Sequence, residues 1–225
     1  MSTSIAFPPL LTGVAVPGDP WEAAIASAKA DGDPGTVFYG VDEATLRVAI
    51  LLAPEETLQD AMRAAFAMTL GFNDALGAVA PPEVALHLGW PDRILINGAD
   101  CGTLRAAANT DDPAEEPDWL VFALDVPIFD LTDAPGDTPD RTTLHNEGCG
   151  EVTTPDLIEA WGRHMMNWLH IYLTDGFEPL HREWLTKAHG REEGTFLGLD
   201  EKGGLLLKDD NGTRILPLTQ MVERI

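Results

Sequence analysis

Apolar positions along the chain alternate between short runs and helix-spaced stripes. Thr36 to Val41 (TVFYGV) and Leu46 to Ala53 (LRVAILLA) are dense, partly β-branched runs and predict two strands. Asp19-Pro20-Trp21-Glu22 before them opens a helix: Asp19 caps, Pro20 suits the first turn, and Glu22 completes a capping box. Gly32 closes that helix. Pro54-Glu55-Glu56 predicts the start of another, with acids at its positive end and Leu58, Met62, Phe66 and Leu70 on one face. Val84 to Trp90 and Ile94 to Ile96 read as short strands around the turn Pro91-Asp92-Arg93. Asn97-Gly98 is a hairpin signal, and Thr103 to Ala108 is the return strand. Residues 111–118 (DDPAEEPD) form a solvated acidic loop, Trp119 to Phe129 a strong apolar strand, and Asp130 to Gly150 a long polar loop.

The clearest helix starts at Thr154-Pro155-Asp156, where Leu157, Trp161, Met165, Leu169 and Tyr172 recur every three to four residues. Gly176 closes it, and a second helix runs from Phe177 to Ala188 before Gly190. The tail then changes character. Its short apolar runs, broken by Gly203-Gly204 and Asn211-Gly212, predict three to five short strands in a small barrel. About 35 residues cannot build a sufficient core alone, so Leu205, Leu207, Ile215 and Leu216 are expected to share apolar surface with the body, Trp184 included.

Charge narrows the partners. The 225 residues hold 14 Lys and Arg against 37 Asp and Glu, a formal net charge of −23. Such a body repels phosphate backbones and anionic bilayers, so neither nucleic acid nor a membrane is expected as a partner. No apolar run approaches the roughly 20 residues of a membrane span. MSTSIAFPPLLTGVAV has no basic n-region, and Pro8-Pro9 interrupts its apolar part, which argues against a secretory signal and for the cytoplasm. Cys101 and Cys149 are too few for a disulfide framework and are expected to be reduced.

Chemistry-bearing residues are scattered. No His-x3-His or Cys-x2-Cys pair provides zinc spacing, so no metal site is expected; His164 with Cys149 or Cys101 would have to converge in space. Cys149 lies between Glu147 and Glu151, a field that opposes thiolate formation. Phosphate-loop and nucleophile-elbow motifs are absent. The most unusual segment is Trp90-Pro91-Asp92, a Trp at a strand end held by a proline turn.

At GWPDRILINGADCGTLRAAA (Gly89 to Ala108) the sequence resembles the biotin protein ligases, which carry Lys-Trp-Pro-Asn-Asp, a strand, a hairpin and then Lys-x-Ala-Gly-Ile. The resemblance continues in order. Gly35-Thr36-Val37-Phe38 resembles the family's Gly-Thr-Val strand, and LLAP (Leu51 to Pro54) its Leu-Leu-Arg-Pro. Trp119 to Pro127 is similar to the strand ending in Gly-Ile-Asn-Val, and Thr143-Leu144 to the following Thr-Ser-Leu. GFEPLHREW (Gly176 to Trp184) resembles its Gly-Phe-x-Pro helix. Gly198-Leu199-Asp200, Gly203, Leu205-Leu206-Leu207 and Gly212 resemble its small SH3-like C-terminal domain. The fold this implies is α+β: a mixed-sheet biotin/lipoyl ligase-like domain over residues 1–189 and an SH3-like barrel over 190–225.

The family activates biotin or lipoate with ATP and Mg²⁺ and transfers the acyl group to a lysine of a carrier domain. Its Gly-Arg-Gly-Arg-x-Gly loop cradles the adenylate between the two early strands; only Gly40 to Thr45 stands there. The lysine before Trp-Pro is Gly89, and the lysine before Ala-Gly falls near Ala99. What the resemblance carries over is Trp90, Pro91, Asp92 and Gly102, with Arg93 beside them, as residues that shape a ligand pocket. Residues 1–140 hold only Lys29, Arg47, Arg63, Arg93 and Arg105 as cations, against 23 acids. Charge developing on a triphosphate needs more than this. The expectation is therefore a ligase-like protein with a degenerate site, binding a small carboxylic acid, a carrier domain or a protein partner, with a homodimer compatible. The alternative is an active ligase whose cations are Arg93, Arg105, Arg141 or Arg163.

Overall fold

The structure is a computed structural model and describes residues 5–129, 140–190 and 194–225. Its centre is a seven-stranded mixed sheet, in the order β1-β2-β3-β7-β6-β5-β4. The strands are β1 (Thr12–Val16), β2 (Thr36–Gly40), β3 (Thr45–Leu52), β4 (Leu86–Gly89), β5 (Arg93–Ile96), β6 (Ala99–Ala108) and β7 (Leu120–Pro127). β1 runs parallel to β2, and every other pairing is antiparallel.

Alternation gives the sheet two different faces. Leu46, Val48 and Ile50 of β3, Leu104 and Ala106 of β6, and Phe122, Leu124 and Val126 of β7 point to one side and join the main core. That side is covered by α3 (Ala64–Val79), α4 (Thr154–Asp175) and α5 (Glu178–Lys187). α3 and α4 approach closely at Gly71, where a Cβ would stand 2.7 Å from Met165 Cα. Trp161 is fully buried between them and donates its indole N–H to Met68 O at 3.1 Å. Among the described residues the other face is covered by α1 (Pro20–Ala28), whose Trp21, Ala24, Ile25 and Ala28 pack on Phe38, Ala49, Leu51, Ala107, Val121 and Ala123.

Two elements differ from the pattern reading. β1 leaves no alternation in the sequence because four of its five residues are exposed; backbone pairing to β2 holds it, not a buried stripe. The helix expected from Pro54 begins at Leu58 and breaks at Met62-Arg63, giving α2 (Leu58–Ala61) and then α3. The acidic loop explains the late start: Glu115 O and Pro113 O accept from Leu58 N and Gln59 N at 2.7 and 3.1 Å, serving donors that a helix start leaves open.

The tail expectation needs correcting. Among the described residues it is an open antiparallel sheet, β8 (Thr195–Leu199), β9 (Leu205–Asp209) and β10 (Gly212–Leu216), ordered β10-β9-β8 and followed by a 3-10 turn at Leu218–Met221. No barrel closes. Three strands of five residues cannot meet the tilt and stagger that closure needs. One face instead packs on the body, with Leu199, Leu205, Leu207 and Leu218 inside the main core. Leu216 is partly buried there, but Ile215 is 54% exposed and shares no such surface.

Candidate functional site

The face under α1 is where the strand arginines gather. Register places Arg47 beside Asp125, Asp125 beside Thr103, and Thr103 beside Arg93, so these four share one row across β3, β7, β6 and β5. Arg105 lies in the next row, opposite Ala123. Cross-strand neighbours point to the same side, so Arg47, Arg93 and Arg105 all face away from the α3–α4–α5 layer. The start of α1 forms one wall. Asp19 caps the helix by accepting from Trp21 N at 3.0 Å, Pro20 fills the first turn, and Trp21 packs into the cluster between helix and sheet. Asp19, Pro20, Trp21, Arg47, Arg105 and Asp125 line a shallow hollow between helix and sheet.

Each of these arginines meets a carboxylate of the chain. Arg47 pairs with Asp125 at 3.3 Å, Arg93 with Asp100 at 3.6 Å, and Arg105 with Glu223 at 2.6 Å. Arg105 also stacks over the Trp21 ring at 4.1 Å, and its basicity is raised, chiefly by the hydrogen bond to Glu223. Burial pushes the Asp92 carboxyl above its ordinary range, and nearby Asp100 adds to the rise, against the pull of Arg93. The β2–β3 connection at this end of the sheet is only residues 41–44, and Ala44 O accepts from both Ile128 N and Phe129 N.

The residues singled out from sequence sit together on the β4–β5–β6 hairpin but point in different directions. Arg93 is on the arginine face. Trp90 turns toward the tail: it is 7% exposed, joins the main core and donates its indole N–H to Gly203 O at 3.0 Å. Its ring also borders a narrow apolar cleft with Trp184, Phe196 and Leu205. Pro91 follows through a cis peptide bond, and Asp92 O accepts from Leu104 N at 2.7 Å. Gly102 backs onto β7, where a Cβ would stand 2.8 Å from Asp125 O. Arg141 forms a backbone β-bridge with Asp100 near the same edge, whereas Arg163 is on α4, its side chain paired to Glu159 at 2.8 Å. Arg47 and Glu223 were missed by the sequence reading. Alternation in LRVAILL carried a signal for Arg47, which has opposite parity to the core residues Leu46 and Val48.

The cysteines are free and buried. Burial first, then the Glu147 carboxylate, raises both thiols, Cys101 to about 12. Glu147 accepts from Thr142 Oγ1 at 2.6 Å and Asn97 Nδ2 at 2.7 Å, which ties the 140–149 segment to the hairpin. His164 lies on α4 and is not among the groups that shift either thiol. Among the described residues, no three His, Cys, Asp or Glu side chains gather as metal ligands would, and no helix is long and apolar enough to cross a membrane.

The α+β class and the mixed sheet are as the resemblance implied; the C-terminal unit is an open three-stranded sheet where it implied a barrel. The family model described as the biotin/lipoate A/B protein ligase family matches residues 7–186. This chain belongs to that family. A second model, for a domain of unknown function, matches residues 185–224. A biotin–[acetyl-CoA-carboxylase] ligase of Paracoccus denitrificans is 23% identical over 188 residues, covering 76% of this chain and 77% of that protein. The crystal structure of a biotin protein ligase-like protein of unknown function from Silicibacter sp. TM1040 is 45% identical, with a TM-score of 0.92 over 98% of this chain and 100% of that one. Biotin protein ligase from Aquifex aeolicus is 16% identical, with a TM-score of 0.72 over 91% of this chain and 95% of that one, a likeness of fold.

Proposed function

We propose that this member of the biotin/lipoate ligase family is a cytoplasmic binding protein with a degenerate catalytic site, which takes a small carboxylic acid or a carrier domain on its arginine face. One observation carries the reading: Arg47, Arg93 and Arg105 are each matched by a carboxylate of the chain itself, Asp125, Asp100 and Glu223. Stabilising a triphosphate and its transition state needs cations that are not already neutralised. The short 41–44 connection adds support, since it offers no glycine-arginine segment to close over an adenylate. Under this reading Arg93, whose 3.6 Å pair with Asp100 is the longest of the three, meets the ligand's single carboxylate in exchange for Asp100. Trp90, Pro91, Asp92 and Gly102 fix the hairpin that presents it, within a unit of residues 1–189 to which 190–225 is docked.

The test is calorimetric titration with biotin, lipoate, octanoate and Mg-ATP, singly and in pairs. An acid that binds without ATP, together with ATP binding weaker than micromolar, is expected. Submicromolar ATP affinity or biotin-dependent pyrophosphate exchange would overturn the reading. It would favour the second one, an active biotin or lipoate ligase, which draws its support from Arg93 and Arg105 sharing a face.

A further inference from the structure

The last residues of the chain occupy a position on the arginine face. β5 pairs with β6 only as far as Thr103, so beyond that point β6 has β7 on one side and a vacant edge on the other. Val222 takes that edge, bridging Ala106 in parallel, and Glu223 N donates to Ala106 O at 2.8 Å. Alternation then separates the two side chains. Val222 packs against the main core, and Glu223 emerges on the opposite face at Arg105. There, Arg105 Nε donates to Glu223 Oε1 at 2.6 Å and Nη2 to Oε2 at 2.7 Å, while the guanidinium lies over Trp21. A planar fork held on an aromatic ring and gripping both carboxylate oxygens is a complete carboxylate-recognition element.

We propose that Glu223 is the internal occupant of a carboxylate-binding position, and that the segment 222–225 gates the arginine face: an acid ligand engages Arg105 only when Glu223 leaves. The inference rests on the arginine face being the ligand face. The segment is suited to leaving. Arg224 is 89% exposed in its pair with Asp111, and Ile225 is half exposed. An intramolecular carboxylate acts at an effective concentration of roughly millimolar or more, so an external acid competes poorly until the segment moves.

The experiment compares the wild-type protein, E223Q and E223Q/R105Q. Octanoate and the neutral octanamide are titrated into each, and phenylglyoxal modification of Arg105 is followed by peptide mass spectrometry. In E223Q, octanoate should bind at least tenfold tighter with octanamide unchanged, Arg105 should react at least tenfold faster, and octanoate should protect it. E223Q/R105Q should lose the octanoate gain. Equal octanoate binding by wild type and E223Q overturns the gate and leaves the ligand-face reading standing. Equal strengthening of acid and amide, or an unchanged Arg105 rate, also overturns it. A freed Arg105 with no acid bound by either protein overturns the gate and the ligand-face reading together.

Discussion

Trp90 and Gly203, 113 residues apart, are joined by an indole N–H to carbonyl hydrogen bond of 3.0 Å. It fastens the β4–β5 hairpin to the turn between β8 and β9. Gly203 has φ of +79°, and a Cβ there would stand 2.7 Å from the Phe66 ring, so the turn fits against α3 only as glycine. The Trp-Pro-Asp segment thus anchors the tail at one end and presents Arg93 at the other. Trp90→Phe keeps the aromatic bulk but strands the Gly203 carbonyl in a buried place. A loss of about 1–3 kcal/mol is expected in urea unfolding. A loss under 0.3 kcal/mol would show that the bond carries no weight.

Glycines on α3 should respond with opposite signs. At Gly71 an added methyl meets the Met165 backbone at 2.7 Å, and a backbone cannot swing aside. Gly71→Ala should cost about 1–3 kcal/mol by forcing α3 and α4 apart. Gly77 has open space around its missing Cβ, so Gly77→Ala should stabilise by about 0.5–1 kcal/mol through helix propensity. Thermal melts of the pair check this; two changes of the same sign would contradict the packing described.

Elements whose burial shows a period were readable from sequence, and those held by backbone pairing or long-range charge were not. α4 announces itself through Thr153 as a cap, Pro155 in its first turn and the stripe from Leu157 to Tyr172. β1 is exposed and so carries no stripe. The arginine face depends on register: Arg47, Arg93 and Arg105 come from three strands, and nothing local in any one of them says that the three share a side. Glu223 meets Arg105 across 118 residues, a contact no local pattern encodes. Lys202, Arg214 and Arg224 each balance a nearby aspartate, namely Asp60, Asp209 and Asp111.

Cysteine reactivity should follow burial. Both thiols are enclosed and raised, Cys101 to about 12, so thiolate at pH 8 is scarce. Ellman's reagent should find no reactive thiol in the native protein within minutes at pH 8, and two after denaturation. Rapid native labelling of Cys149 would show that the 140–149 segment opens readily and would reopen a chemical role for that residue.

Tail docking should weaken in acid, through Asp60. Lys202 Nζ reaches Asp60 Oδ1 at 2.5 Å, from the same β8–β9 turn that Trp90 holds, and Arg63 Nη2 lies 2.9 Å from that oxygen. Burial by itself raises the Asp60 carboxyl. Hydrogen bonds from Lys202 and Thr57, with the charges of Arg63 and Lys202, outweigh it and leave the group below its ordinary value. A carboxyl lowered by folding stabilises the native state fully above its unfolded pKa of about 3.9, and that contribution is lost as pH falls through the lower folded value. Lys202→Met removes part of the lowering. Its stability deficit should therefore be constant from pH 5 to 7 and shrink below pH 4, where Asp60 becomes protonated in the wild type as well. Urea midpoints of both proteins across pH 3 to 7 measure the difference directly. A deficit that stays the same or grows on acidification would show that Lys202 supports the turn by packing its alkyl stem, not through the Asp60 charge.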